Sequence, residues 1–185
     1  MAQRLADTFD QAVDASLRHK AAAQLDDEVV GYLQDAHAIE TQALQLLWAA
    51  PAIAGAEALA AAFRDHHAET REHRRMVGER LQAHRARSSR LQDTALRIGG
   101  LNMAAFFAAQ PDTPAKLAGF SYAFEHLEIA AYELLRRVAE RAGDTETVEV
   151  ASRIAEEERA TAERIRGLWD VAMDAALQKV GASAG

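Results

Sequence analysis

The chain has 185 residues, 49% of them hydrophobic but only 6% aromatic, and it carries a net charge of −7 with no cysteine. That length suits one domain with a real core, and the acidic balance gives no electrostatic footprint for DNA or RNA while suiting a partner that is a cation. Without cysteine there are no disulfides, thiolate nucleophiles, zinc–thiolate centres or iron–sulfur clusters, so any metal must be held by carboxylate and imidazole.

Alanine supplies much of the hydrophobic fraction and has the best helix propensity, so composition already leans all-α. The first residues lack the basic start and apolar run of a signal peptide, and no stretch is long and apolar enough to span a bilayer. The expected address is the cytoplasm, with no membrane or nucleic-acid partner.

In chain order, apolar spacings of three and four predict an N-terminal helix from about Arg4 to Lys20. Helix A follows from about Asp26 to Ala49, ending at Ala50-Pro51. Helix B runs from about Gly55 to Arg85. A connecting segment, Arg87 to Gln110, contains Gly99-Gly100 and is expected to be helical on both sides of that pair. Helix C begins at Pro-Asp-Thr-Pro, with Thr113 as a plausible N-cap and Pro114 at the first helical position. Gly143 stops it, and Asp144 or Thr145 caps helix D, which runs to about Val180. Nothing reads as a strand.

Short A–B and C–D turns predict two antiparallel hairpins, with the longer B–C segment crossing the length of the bundle, the one-crossover topology of ferritin-like folds. The expected architecture is thus an all-α, ferritin-like antiparallel four-helix bundle over 25–180, preceded by a helical arm over 1–24.

An isolated carboxylate in a core is costly unless it is paired or binds a cation. The core stripe of helix B reads Leu59, Phe63, His66, Thr70, His73, Val77 and Leu81, with Glu69 at its edge and Glu72 pointing away. On helix D, Glu158 lies among Ile154, Thr161, Ile165 and Leu168, bordered by Glu157. Helix C aligns Tyr122, Glu125, Glu128 or Ile129, and Tyr132. Helix A places Glu40 among Leu33, Ala36, Ala43 and Leu47. Taken singly, a glutamate on an alanine-rich helix is usually a solvated helix former. His126 either supports a ligand or faces solvent, and His19, His67 and His84 read as surface residues. The coincidence across four helices carries the argument: carboxylates meeting at mid-bundle repel unless positive charge compensates them. Oxygen-rich sites with one or two imidazoles suit iron or manganese.

The stretches Tyr-Leu-Gln-Asp-Ala-His-Ala-Ile-Glu (32–40), His66-x-x-Glu69-Thr70, Glu125-His126-Leu127-Glu128-Ile129-x-x-Tyr132 and Glu157-Glu158 resemble a family of bacterial ferritin-like stress proteins, long labelled a domain of unknown function. The resemblance covers about residues 28–170. It implies a rubrerythrin-like bundle, commonly dimeric, with a dinuclear metal site. It carries Glu40, His66, Glu69, Glu125, Glu128 and Glu158 over as metal ligands, with Asp35 and Tyr132 in support. Glu69 and Glu128 would then bridge two metals, and the others fill terminal positions. The sequence departs from the Glu-x-x-His pattern of ferritins and rubrerythrins, because Glu72 follows Glu69 at that spacing and Thr161 follows Glu158. The imidazole ligand is therefore open between His66 and His73. The function implied is a di-iron or manganese protein meeting peroxide or dioxygen in stress defence. The alternatives are a metal-sequestering protein without turnover and a metal-free helical interaction module.

Overall fold

The computed structural model describes residues 2–86 and 113–182, with side chains from Lys20 onward. The described residues are helical throughout apart from short turns: α1 (Ala2–Ile53), α2 (Glu57–Ala83), α3 (Thr113–Ala142), α4 (Thr145–Arg166) and α5 (Trp169–Lys179). None of these helices is long and apolar enough to cross a membrane. The segment Arg87–Gln110 lies outside the described residues, as does the side chain of His19.

Three boundaries differ from the sequence-based expectation. The N-terminal arm and helix A form one continuous helix. Residues 20–28 contain neither proline nor glycine, and Asp26 and Asp27 can cap a helix but do not stop one. Pro51 lies inside the last turn of α1, where its missing N–H costs a single hydrogen bond. Helix D is two helices: Gly167 ends α4, Leu168 N–H turns back to the Ile165 carbonyl, and α5 restarts at Trp169.

Two apolar clusters order the helices in space. At one end the later part of α1 (Leu46, Leu47, Ala50) meets the start of α2 (Leu59, Phe63), the start of α3 (Leu117) and the end of α4 (Ile165). At the other end Val29 and Leu33 of α1 meet Val77 and Leu81 of α2, Leu135 of α3 and Ile154 of α4. Each of α1–α2, α3–α4, α1–α3 and α2–α4 is therefore an antiparallel pair, and α5 packs chiefly against α3. Burying such stripes supplies the main drive for helices whose intrinsic propensity is marginal.

The turns are locally specified. Gly55 sits at φ +73° between α1 and α2, and a Cβ there would come within 2.6 Å of Pro114 Cγ. The turn thus needs glycine for both its backbone angle and its space. Gly143, at φ +76°, ends α3 in a Schellman arrangement: its N–H reaches the Glu140 carbonyl, and the Asp144 N–H reaches that of Ala139.

Asp144, rather than Thr145, caps α4, accepting from the Thr147 N–H at 3.1 Å. The same carboxylate takes Arg80 at 2.9 Å and His84 at 2.8 Å, and His84 reaches Asp26 of α1 at 2.7 Å. His84, expected at the surface, is instead a largely enclosed tie among three helices. Burial alone would raise the Asp144 pKa; the bonds from Thr147 and His84 and the charge of Arg80 outweigh it and hold the group at about 2. Asp144→Ala is expected to cost about 2–3 kcal/mol, from a lost cap and a lost charged hydrogen bond. The native carboxyl titrates below its ordinary value of 3.8, so its stabilisation is complete above about pH 4 and fades as pH falls toward 2. Urea midpoints of parent and variant should differ at pH 7 and converge in acid.

Candidate metal centre

Between the two apolar clusters lies a polar layer. Glu40 of α1, His66 and His73 of α2, Glu125 and Glu128 of α3, and Glu158 of α4 are each at most 1% exposed. They occupy the same helical faces as the core residues above and below them, so burying the stripes forces these groups inward. All seven stripe residues of α2 are buried, and so are Leu33, Ala36, Ala43 and Leu47 around Glu40. On α3 the buried face reads Ser121, Glu125, Glu128 and Tyr132; Ile129 and Tyr122 are only partly buried.

The ligand atoms fall into two overlapping groups, each within 4.8 Å: His66, Glu125, Glu128 and Glu158 in one, and Glu40, His73 and Glu158 in the other. Glu158 belongs to both. Its Oε2 lies 4.0 Å from His66 Nε2, and its Oε1 lies 2.8 Å from His73 Nδ1. Glu125 Oε2 is 3.0 Å from His66 Nε2, and Glu40 Oε1 is 3.7 Å from His73 Nδ1.

Close approach does not satisfy these groups. Both oxygens of Glu128 and of Glu158, one each of Glu40 and Glu125, and the Nδ1 atoms of His66 and His73 make no hydrogen bond. The 2.8 Å approach of His73 to Glu158 is an electrostatic contact that leaves both atoms without a hydrogen bond. Buried polar atoms are ordinarily partnered, and this many orphans in one layer needs an explanation. Outside the layer the partners are ordinary: Tyr132 donates to Glu40 Oε1, Ser121 to Glu125 Oε1 at 3.2 Å, and Thr70 to the His66 carbonyl at 2.9 Å.

The electrostatics agree. Burial, then the charge of Glu158, pushes Glu40 up to about 8 against the pull of His73. Burial takes Glu125 to about 7 despite His66 beside it. Burial and the charges of Glu158, Glu40 and Glu125 place Glu128 well above the carboxylate range. Glu158 alone is lowered, because His73 and His66 outweigh its burial. Burial disfavours charge on His66 and His73, but the facing carboxylates raise them to about 10 and 9. Glu40, Glu125 and Glu128 and the two imidazoles thus hold protons more tightly than they would in water. A bound cation would replace those protons. Donor chemistry, orphaned atoms and shared geometry all fit a metal.

Glu69 is not brought into this cluster. Three residues on from His66, it points to α4, where Thr161 donates to it at 3.0 Å and Arg164 at 3.1 Å. His66 first, with Arg164 and Thr161, holds it at about 2 against its partial burial. His73, which the resemblance did not carry over, takes a place in the layer instead; its position in the α2 stripe was the signal for it. Glu157 borders the layer and approaches His73 at 2.7 Å; partial burial is outweighed there by Arg153 and His73, which lower its pKa. Asp35 is exposed, and so is His126, whose Nδ1 donates to the Tyr122 carbonyl at 2.9 Å.

A helical bundle with buried carboxylate and imidazole groups able to hold metal ions is the class that this fold and layer define. The family model described as "Domain of unknown function (DUF892)" matches residues 24–178, and the chain belongs to that family. A crystal structure of a protein from Xanthomonas campestris pv. campestris is similar, at 26% identity and a TM-score of 0.71, covering 85% of this chain and 99% of that one. No curated protein matches the chain.

Proposed function

We propose that this chain is a ferritin-like carboxylate protein that holds two metal ions, iron or manganese, in its central layer. The observation that carries this reading is the set of orphaned, fully buried ligand atoms contributed by four helices. The ferritin-like arrangement is supported by antiparallel neighbours throughout. It is supported too by the end of α2 and the start of α3, which lie at opposite ends of the bundle.

One ion would take His66 Nε2, Glu125, Glu128 and one oxygen of Glu158; the other would take Glu40, His73 Nδ1 and the second oxygen of Glu158. Glu158 then bridges, the part that the resemblance assigned to Glu69. Glu128, with neither oxygen bonded, would serve the ion on the His66 side alone. Tyr132 fixes one oxygen of Glu40 and leaves the other for the ion. The apolar clusters on either side keep water from the layer. Iron or manganese bound there supplies one-electron redox chemistry toward peroxide or dioxygen. The stress role and the homodimer belong to the same reading and rest on the resemblance alone.

Protein purified without chelator from iron- or manganese-supplemented cells should carry about two ions per chain, one for each ligand group. None would sink the reading and leave a metal-free helical module. Repeated consumption of peroxide under a reductant would establish an enzyme; a single stoichiometric reaction would establish a sequestering protein.

A further inference from the structure

The two imidazoles of the layer share an arrangement that the ligand set does not explain. Each presents one ring nitrogen to the interior carboxylates and turns the other toward a carboxylate on the seam between α2 and α4. His73 Nε2 lies 2.7 Å from Glu157 Oε2, and His66 Nδ1 lies 3.5 Å from Glu69 Oε2. An arginine fixes each of these carboxylates. Arg153 donates to Glu157 at 2.9 Å, and Arg164 donates to Glu69 at 3.1 Å, with Thr161 adding a bond at 3.0 Å. The side chains of Glu157 and Glu69 are 37% and 34% exposed, whereas those of the imidazoles behind them are 1% exposed.

We propose that Glu157 is a positioning residue that holds the N–H of His73 on its outward Nε2 and leaves the inward Nδ1 lone pair for a cation. The inference rests on the metal-binding reading above. A carboxylate only accepts hydrogen bonds, so the ring nitrogen facing it must carry the hydrogen. A neutral imidazole has a single N–H, so its other nitrogen is then a free donor toward the metal. Ligating histidines commonly owe their orientation to such an outer partner, and its loss weakens binding about 10- to 100-fold. Of the two outward contacts only that of His73 is a hydrogen bond, so Glu157 carries the inference. It comes from α4, and the seam between α2 and α4 thereby ties the position of one helix to the ligand geometry of the other.

The test is calorimetric titration with zinc(II), which is diamagnetic and takes nitrogen and oxygen ligands, together with nitrogen-15 NMR of the zinc-loaded protein. In the parent, His73 should be bound through Nδ1 and show a slowly exchanging Nε2–H. Glu157→Ala should weaken one of the two ions about 10- to 100-fold and abolish that signal. Glu157→Gln, whose amide oxygen still accepts, should recover most of the affinity. Glu156→Ala removes an equal charge from the exposed neighbour and should change neither reading. Unchanged affinity and an unchanged signal in Glu157→Ala would overturn the inference, as would equal weakening by Glu156→Ala. A parent that bound no zinc, iron or manganese would overturn the metal reading itself, and this inference with it.

Discussion

Replacing Glu158 by alanine is expected to abolish tight binding of both ions at once. Its two oxygens face the two halves of the layer separately, one toward His66 and one toward His73. No other residue belongs to both ligand groups. The loss should exceed the ~100-fold that follows removal of an outer partner, because a donor to each ion disappears. Glu69→Ala, by contrast, should keep the full count of ions, because Glu69 belongs to neither ligand group. Equilibrium dialysis against manganese(II) would distinguish them. A variant at 158 that still holds two ions tightly would contradict the shared-ligand arrangement.

How far the site was legible follows from its geometry. Core stripes repeat every 3.6 residues, so Glu40, His66, His73, Glu125 and Glu158 could be placed inward by spacing alone, whereas on α3 spacing left the choice between Glu128 and Ile129 open. Residues at the stripe's edge could not be settled that way. Glu69 and Glu157 lie beside the layer, and where each carboxylate goes depends on what the neighbouring helix offers. Arg164 and Thr161 draw Glu69 outward, and Arg153 draws Glu157. Sequence spacing records the face of one helix and is silent about its neighbour. The same limit hid the role of His84, whose partners Asp26 and Asp144 come from helices distant in sequence. Helix boundaries failed for a different reason. Capping residues at Asp26 and a proline at 51 are compatible with a helix end without requiring one, so α1 runs through both expected breaks.

Glu128→Gln should move stability in opposite directions with and without metal. Glu128 is fully buried, neither of its oxygens is bonded, and three other carboxylates crowd it. To fold without metal at neutral pH this carboxyl must take up a proton that it would not carry in the unfolded chain, a cost that glutamine avoids, so the variant should be the more stable metal-free protein at pH 7 and lose that advantage in acid. The loaded parent gains ~2.7 kcal/mol from each ion at a free concentration one hundred times its Kd. The variant forfeits much of that gain. Thermal melts in chelator and in manganese(II) should therefore rank the two proteins oppositely. The same order in both would mean that the carboxyl at 128 is a structural acid with no ion to bind.

The separation of the bundle's greasy interior into two pools, one gathered around Phe63 and Leu117 and the other around Leu33 and Leu135, bears on how the molecule holds together as a unit. Among the described residues the two pools are separate clusters, and the belt between them is mostly acid and imidazole. Whatever neutralises that belt also welds the two halves into a single cooperative body. If ions fill that belt, their binding would be tied to the integrity of all four long helices as well as to chemistry at their centre.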